Sequence, residues 1–310
     1  MGLALAAPAL AQPAWPARPV RLVLPFAQGG PVDVLARLLA EYLQQALGQP
    51  FVPEYRTGAG GNLAAQLAAQ AAPDGHTLLL AIDTLMTVNA TLYPRAGFDP
   101  ERDFAPIGLV GRMASVVTVP TSLPVSDLAG LIALGQQRPL TYGSGGVGVP
   151  GHLYGEFLRM LTGARLEHVP FRGLGPAVTE LLAGRLDLIV ALMPGVAQHL
   201  ASGALRGLAV TGAARSPFMP ALPTLAETVA PGFDTSTWVG CYGPAGLPAA
   251  IVARLGAELA GFAASPVVAA RLAPLTFEAA TAAPAELRAL RGRDAARWAQ
   301  VIRDAGIVVE

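Results

Sequence analysis

The sequence contains no lysine, so all 21 of its basic side chains are arginines. The absence of lysine excludes a Schiff-base lysine, a P-loop lysine and a Ser-Lys dyad. A single cysteine, Cys241, excludes an intrachain disulfide, and the apolar stretch TWVGCYGPAG around it predicts a buried, inert thiol. The four histidines, at positions 76, 152, 168 and 199, have no metal-ligand spacing and no neighbouring cysteine, which disfavours a metal site.

Charge is sparse and balanced. Charged residues make up 14% of the 310 positions, with 21 acidic and 21 basic side chains. A chain with no net charge and no basic run lacks the electrostatic footprint of a nucleic-acid-binding protein. After the N-terminus, no stretch of 18 uninterrupted apolar residues predicts a membrane span. We therefore expect no nucleic-acid partner and no membrane-spanning helix.

The N-terminus reads MGLALAAPALAQ. A short apolar run that ends in Ala9-Leu10-Ala11 is typical of the end of a secretory signal peptide cut after Ala11, although the usual basic segment is missing. The alternative is an alanine-rich arm. The first interpretation predicts a signal-peptide remnant at residues 1–11.

Strands and helices are predicted to alternate along the rest of the chain, which is 53% hydrophobic. The apolar strand Arg21–Phe26 precedes a helix from Pro31 to Gly48, whose leucines recur at helical spacing. This alternation predicts mostly parallel sheets with helices on their faces, an α/β fold. Further strands are predicted at Phe51–Tyr55, His76–Ile82, Ser115–Pro120, Leu166–Phe171, Leu186–Leu192, Arg206–Thr211 and Thr237–Tyr242.

The alternation restarts midway, which predicts two α/β lobes. We expect the chain to cross between them near Val116–Pro120 and near Thr235–Val239. Lobe 1 is predicted to comprise residues 13–118 and 237–310, and lobe 2 residues 119–236. Proteins of this architecture bind ligands between their lobes, at the carboxyl ends of strands.

Three glycine-rich turns lie between a predicted strand and a predicted helix: FAQGGPVD, RTGAGGN and GSGGVGVPG. A helix start offers unpaired N–H groups and the positive end of a dipole, so turns that share one cleft favour an anion. The alternative for each turn is loop geometry alone, because glycine adopts positive φ without strain.

The third turn also matches a dinucleotide fingerprint. Gly143 to Gly148 fits G-x-G-x-x-G, and Glu167 follows about twenty residues later. Pro150 and Gly151 are expected to interrupt the helix start that would receive a pyrophosphate. Glu167 lies within its predicted strand rather than at the end, and no hydride-transfer acid or base is evident. A nucleotide site is therefore the weaker hypothesis.

Two acidic residues are candidates for ligand contact. Asp33 lies in the first turn of the helix after Gly30, where it either complements the helix dipole or faces the cleft. Asp83 follows the strand that ends at Ile82, where it either caps a helix or contacts a ligand. The sequence shows no Ser-His-Asp or Cys-His arrangement.

Longer motifs, taken together, resemble a known family. The stretch WPARPVRLVLPFAQGGPVDVLARLLAEYLQQALGQP, with RTGAGGN, APDGHTLLLA, HVPFRG and WAQVIRDAGI, is similar in order and spacing to the Bug family. These proteins are periplasmic solute receptors of tripartite tricarboxylate transporters. The resemblance implies a type II periplasmic-binding-protein fold, with two α/β lobes, a two-crossover hinge and closure around a small carboxylate. It implies no catalysis, no cofactor, a monomer in the periplasm and a transient membrane permease partner.

The resemblance also implies ligand contacts from the loops at Phe26–Gly30 and Tyr142–Gly151 and from the positions of Asp33 and Asp83-Thr84. We expect the ligand to be bound by Phe26, Gly29, Gly30, Asp33, Asp83, Thr84, Ser144, Gly145, Gly146, Val147, Phe171 and Met193.

This sequence departs from the family in its second-lobe loop. Family members usually read close to Ser-Ser-Gly-Asn-Gly-Thr-Ser-Thr there, whereas Ser144 is followed here by GGVGVPG. Asp83, Leu85 and Met86 replace a hydroxyl-rich stretch, and Met193 stands where many relatives carry Asp and Asn. Each lost hydrogen bond to a buried carboxylate is worth about 1.5–3 kcal/mol. We therefore expect a monocarboxylate, with an amine for Asp83 as an option, rather than a dicarboxylate or citrate.

Two other functions remain as alternatives. One is a NAD-dependent oxidoreductase that uses the turn from Gly143 to Gly148. The other is a solute sensor or partner-binding protein without a role in transport.

Overall fold

The computed structural model describes residues 15–26, 28–29, 31–231 and 233–309. The predicted signal-peptide remnant and Gly30 lie outside the described residues. Two β-sheets organise the chain, and each is the centre of one lobe. Lobe 1 contains β1 (Val20–Leu24), β2 (Phe51–Tyr55), β3 (Thr77–Ile82), β4 (Phe104–Met113), β10 (Thr237–Pro244) and β11 (Glu278–Ala279). Lobe 2 contains β5 (Ser115–Pro120), β6 (Leu140–Ser144), β7 (Leu166–Pro170), β8 (Leu188–Leu192) and β9 (Leu205–Val210).

Helices connect the strands and cover the sheets. Those of the first half are α1 (Pro31–Leu47), α2 (Asn62–Ala69), α3 (Asp83–Thr87), α4 (Asn89–Leu92), α5 (Leu128–Gln137) and α6 (Pro150–Thr162). Those of the second half are α7 (Leu174–Leu182), α8 (Ala197–Ala201), α9 (Leu225–Thr228), α10 (Ala249–Ala264), α11 (Pro266–Leu272) and α12 (Pro284–Ala305). In the described part of the chain, no single helix is long and apolar enough to cross a membrane, although α10 and Pro266–Leu275, bent by 67°, reach that length and hydropathy together.

In both sheets one antiparallel strand lies between two strands of the parallel set, and in lobe 1 the short edge strand β11 also runs antiparallel to its neighbour β4. The order in lobe 1 is β11-β4-β10-β3-β1-β2, and β10 runs antiparallel to both of its neighbours. The order in lobe 2 is β7-β6-β8-β5-β9, and there β5 is antiparallel to both neighbours. Each lobe therefore places the ends of three adjacent parallel strands at one edge of its sheet.

The chain crosses between the lobes earlier than predicted. Ala114 alone separates β4 from β5, and Ser115–Pro120 pairs along its length within lobe 2. The boundary predicted after residue 118, like the crossover predicted at Val116–Pro120, falls inside a strand of lobe 2. The chain returns before β10, which pairs with β4 from Thr237 onward.

The C-terminal helix belongs to both lobes, whereas all of residues 237–310 were assigned to lobe 1 from the sequence. Helix α12 contacts α3 and β4 in lobe 1 and α6 in lobe 2. Near its end, Trp298, Val301 and Ile302 are buried in one apolar cluster with Tyr142 and Tyr154 of lobe 2. Trp298 packs edge-to-face against Tyr154, with ring centroids 5.4 Å apart. The cores of the two lobes are therefore joined through this helix as well as through the crossovers.

Candidate functional site

Three loops of lobe 1 lie side by side at one edge of its sheet. Strands β2, β1 and β3 are parallel neighbours, so the loops that follow them emerge side by side. The loop after β1 contains Phe26 and Gly29, that after β2 contains the RTGAGGN turn, and β3 leads directly into Asp83. Phe26 is half-buried and packs against the apolar clusters on both faces of the sheet.

Asp33 holds the first of these loops in shape. Its carboxylate accepts hydrogen bonds from the Gly29 N–H (2.9 Å), the Tyr55 hydroxyl (2.5 Å) and Arg37 Nε (3.0 Å). Burial favours the neutral acid, but these hydrogen bonds outweigh burial and lower the pKa of Asp33. Because protein groups occupy both of its oxygens, the contribution of Asp33 in this structure is to order the loop.

The second loop packs tightly against the other two. Asn89 on α4 donates from Nδ2 to Asn62 Oδ1 (2.6 Å) and to the Gly60 carbonyl (3.0 Å). Gly61 has a φ of 92°, and a Cβ there would lie 2.9 Å from the Cβ of Pro25. Only glycine satisfies both the left-handed backbone and this close approach.

Asp83 is more deeply buried than a ligand contact in an open cleft. It is the first residue of α3, its side chain is 2% exposed, and its Oδ1 accepts no hydrogen bond from any described residue. Burial, and then the negative charge of Asp294, raise the pKa of Asp83 well above its ordinary value. Thr84, next to it, is partly exposed.

The facing loop of lobe 2 begins at Ser144, the last residue of β6. Ser144 is 1% exposed; its hydroxyl donates to the Gly146 carbonyl (2.8 Å), and its Oγ lies 2.7 Å from His168 Nε2. The Gly148 N–H donates to His152 Nδ1 at 3.1 Å. The Phe171 N–H donates to the Ser144 carbonyl at 2.9 Å, which places Phe171 beside the loop.

A cavity of about 250 Å³ lies beside this loop. It is at the carboxyl ends of β6 and β8 and the amino ends of α6 and α7, where ligands of such sheets bind. Its lining is aliphatic or glycine, with no polar side chain: Gly145, Val149, Pro150, Gly151, Gly173, Leu174, Val190, Ala191 and Leu192. The side chains at this end of the site therefore offer shape and apolar surface rather than hydrogen bonds.

Met193 lies beneath the site. Its side chain is fully buried, its Sδ accepts a hydrogen bond from the Ser216 hydroxyl (3.7 Å), and its N–H donates to the Ala114 carbonyl (2.9 Å). In this structure Met193 thus joins the core of lobe 2 to the first crossover rather than lining the cavity.

The lobes meet beside the second-lobe loop. A methyl group added at Gly148 would overlap Cδ1 of Leu92 on α4, so the loop lies directly against lobe 1. The hydroxyl groups of Tyr154 in lobe 2 and Thr237 in lobe 1 are 3.3 Å apart. The structure therefore brings the second-lobe loop, with Ser144 to Val147, up to the lobe that carries Phe26, Gly29, Asp33, Asp83 and Thr84.

Sequence reasoning missed most of the residues that line the cavity, Leu174 and Leu192 among them, and the two histidines behind the loop, His152 and His168. The leucines gave no signal, because buried leucines are common in any α/β fold. The histidines were considered only as metal ligands, yet they flank the glycine run. Among the described residues, no three His, Cys, Asp or Glu side chains could hold a metal ion.

The geometry also bears on the nucleotide hypothesis. Gly143 lies within β6 rather than in the turn, and the N–H groups of Gly146 and Gly148 are bonded to Ser144 and His152. A pyrophosphate would need such donors to be free. One argument from the sequence was wrong: Pro150 does not interrupt α6 but is its first residue, a position that proline favours.

Comparisons with known proteins agree with this architecture. Residues 35–307 match the model of the tripartite tricarboxylate transporter family receptor. A UPF0065 protein from the tcbD–tcbE intergenic region of Pseudomonas sp. (strain P51) is 36% identical over 93% of this chain and 87% of its own. Protein BugT of Bordetella pertussis is 34% identical over 99% of this chain and 96% of its own.

Two solved structures are also similar. R. palustris Rpa4515 with adipate has a TM-score of 0.83 and 36% identity, covering 95% of this chain and 99% of its own. MatC (Rpa3494) from Rhodopseudomonas palustris, with bound malate, has a TM-score of 0.78 and 32% identity, covering 93% of this chain and 100% of its own. The predicted periplasmic-binding-protein fold and the prediction of a receptor rather than an enzyme are confirmed. The chain belongs to the tripartite tricarboxylate transporter receptor family, which includes the Bug proteins.

Proposed function

We propose that the protein is a periplasmic receptor that binds one small carboxylate between its lobes and delivers it to a membrane permease. The main support is the meeting of the two sets of loops: three strand-end loops of lobe 1 on one side, and the loop from Ser144 to Val149 on the other. The relatives with adipate and malate support a carboxylate as the ligand class.

Within that class we propose a monocarboxylate whose apolar end lies in lobe 2. The 250 Å³ cavity is lined by Val149, Leu174, Leu192 and other residues without polar side chains. A second carboxylate there would find no side-chain donor, and each hydrogen bond that it lacked would cost about 1.5–3 kcal/mol. An alkyl chain would instead gain about 0.8 kcal/mol for each buried CH₂ group. We do not include a ligand amine for Asp83, because its side chain is 2% exposed and its raised pKa favours the neutral acid.

The preference can be tested with hexanoate and adipate, which have the same chain length and differ by one carboxylate. Isothermal titration calorimetry on the purified protein should give a Kd for hexanoate at least about tenfold lower than for adipate, a difference of about 1.4 kcal/mol. Tighter binding of adipate would contradict the monocarboxylate preference and leave the receptor function standing. Failure of every carboxylate in a broad panel to bind would contradict the receptor function itself.

Helix α7 offers a matched pair of leucines as a control. Leu174 lines the cavity, whereas Leu182 on the same helix is 41% exposed. Leu174→Asn should weaken hexanoate binding, and Leu182→Asn should leave it unchanged. Equal effects of the two substitutions would show that the cavity does not receive the ligand.

Delivery and compartment can be tested in cells. The mature protein recovered from a periplasmic extract should begin at Gln12 if cleavage follows Ala11. Deletion of the gene should abolish uptake of the carboxylate that the protein binds. If the protein were instead a solute sensor, the deletion would change gene expression and leave uptake unchanged. Light scattering should show a monomer with and without ligand.

A further inference from the structure

Two histidines hold the two ends of the second-lobe loop. His168 on β7 contacts Ser144, where the loop leaves β6, through an Nε2–Oγ distance of 2.7 Å. His152 on α6 accepts a hydrogen bond from Gly148, near the end of the loop, at 3.1 Å. The two rings are stacked, with centroids 3.8 Å apart and planes inclined by 9°. The loop is therefore anchored at both ends to one pair of imidazoles.

The hydrogen-bond pattern fixes the role of each ring. The Gly146 carbonyl can only accept from the Ser144 hydroxyl, and when that hydrogen bond is made, His168 donates to Ser144 Oγ from Nε2. His152 accepts at Nδ1, which requires that this nitrogen carry no proton. Protonation of His152 would turn its acceptor into a donor that faces the Gly148 N–H. Protonation of either ring would also place a positive charge against the stacked partner.

Both rings are held in the neutral form. Burial, and then the proximity of His152, lower the pKa of His168 to about 4. Burial lowers the pKa of His152, and Glu156 opposes that shift. Both pKa values thus lie below the ordinary value of 6.5. Binding of a proton to either ring therefore destabilises the folded structure.

A cavity of about 410 Å³, lined by both histidines and by Val147 of the loop, gives protons access to the pair. Three other titratable groups lie around the rings: Tyr142 on β6, and Glu156 and Arg159 on α6. Glu156 accepts from the Tyr142 hydroxyl (2.6 Å) and from Arg159 Nε (2.8 Å), so its carboxylate is already paired. Residues 305–308, which close the cavity, bring no titratable side chain.

We infer that His152 and His168 are positioning residues that keep the second-lobe loop in its ligand-binding shape, and that protonation of this stacked pair releases the ligand. The inference rests on the proposed receptor function. Neither ring needs to touch the ligand, because the effect passes through Ser144 and Gly148. As a result, the affinity of the receptor for its ligand falls as the pH falls.

The test uses a substitution that keeps the acceptor and one that removes it. In His152→Asn the amide oxygen can accept from the Gly148 N–H but cannot be protonated, whereas His152→Leu has no acceptor. Near pH 7.5, His152→Leu should raise the Kd about tenfold, which is the effect of losing one hydrogen bond. The Kd of His152→Asn should stay near that of the wild type. As the pH falls towards 4, where His168 titrates, the Kd of the wild type should rise more steeply than that of His152→Asn. Since both proteins bind the same ligand, titration of the ligand cancels in this comparison.

Two controls separate this inference from the receptor function. His199→Asn, on α8 and away from the cavity, should follow the wild type at every pH, with folding checked by circular dichroism. The amide resonance of Gly148, followed by NMR without ligand, should move as the pair titrates in the wild type and stay fixed in His152→Asn. Parallel pH profiles for wild type and His152→Asn, or a Gly148 resonance that does not respond, would overturn the inference even if a carboxylate binds. Failure of all carboxylates to bind, with the Gly148 response intact, would instead count against the receptor function alone.

Discussion

Asp33 and Asp83 follow neighbouring strands of one sheet, yet their surroundings shift their pKa values in opposite directions. Both side chains are buried, but Asp33 accepts hydrogen bonds from Gly29, Tyr55 and Arg37, which stabilise its charge and lower its pKa. Asp83 has an unbonded, buried oxygen and the negative Asp294 nearby, which raise its pKa. One carboxyl group therefore stabilises the folded protein in its charged form, and the other opposes folding once it is ionised.

Replacement of Asp83 by asparagine should stabilise the protein at neutral pH. The pKa of Asp83 is raised on folding, so its contribution is complete below its ordinary value of 3.8 and is lost as the pH rises above that value. Asp83→Asn removes this loss. Urea denaturation at pH 7 should show a gain of about 1–3 kcal/mol in the free energy of unfolding, and a smaller gain near pH 4.

Asp304→Asn serves as the control, because Asp304 is exposed near the end of α12. It should change the stability by no more than about 0.5 kcal/mol at either pH. If Asp83→Asn were no more stable than wild type at pH 7, the carboxyl group of Asp83 would have to be ionised at little cost.

The sequence predicted the location of these acids but not their surroundings. Both follow recognisable strands, so their positions at strand ends could be predicted. Tyr55 comes to Asp33 from 22 residues away, and Asp294 approaches Asp83 from the other end of the chain. Such contacts depend on strand order and helix packing, which a local pattern does not contain.

Among the elements, α6 connects the features of lobe 2. It begins at Pro150 beside the cavity, carries His152, and packs against β6 through Gly155. A methyl group at Gly155 would overlap the ring of Tyr142, which is fully buried. The absence of a side chain at Gly155 is therefore what allows the helix to lie so close to the strand.

Gly155→Ala should destabilise the protein, although alanine favours helix formation more than glycine does. Overpacking against Tyr142 costs about 1–3 kcal/mol, which offsets or exceeds the helix-propensity gain of about 1 kcal/mol. Gly292→Ala in α12 is the matched control, since Gly292 is exposed with nothing within 4 Å of an added Cβ. Thermal denaturation should therefore give shifts of opposite sign, and stabilisation by both substitutions would contradict the close packing.

Prediction of the elements succeeded where periodicity was regular. The predicted helix from Pro31 to Gly48 corresponds to α1, Pro31–Leu47, and the predicted strand Thr237–Tyr242 lies within β10. Strand β4 (Phe104–Met113) was missed, because Pro106, Gly108 and Gly111 interrupt its apolar run. Its pairing with β10 has register shifts, and such irregular pairing depends on the partner strand rather than on local propensity.

At the scale of the whole molecule, the two lobes depend on each other. Ala114 alone separates their sheets at the first crossover, and α12 contacts both. The second-lobe loop lies against α4 of lobe 1 at Gly148, where an added Cβ would overlap Cδ1 of Leu92. At this point the lobes meet through the backbone of lobe 2 and the Leu92 side chain of lobe 1.

Gly148→Ala should weaken ligand binding by preventing this approach. Gly148 also has a φ of 76°, so part of any effect comes from backbone strain of about 1–2 kcal/mol. Gly163→Ala controls for strain, because Gly163 has a φ of 66° and nothing within 4 Å of an added Cβ. Both variants should lose stability in urea denaturation, but only Gly148→Ala should raise the Kd measured by calorimetry. Equal Kd values would mean that the contact with Leu92 does not influence binding.

The position of α12 also determines when this protein can fold. Trp298, Val301 and Ile302 complete the apolar cluster that contains Tyr142 and Tyr154, more than 140 residues earlier in the chain. Contacts between such distant segments form late, since the intervening chain must first be brought together. The second lobe therefore cannot finish burying its apolar surface until nearly all of the polypeptide has been synthesised. We therefore expect a nascent chain of this protein to stay incompletely folded until its last helix has been synthesised.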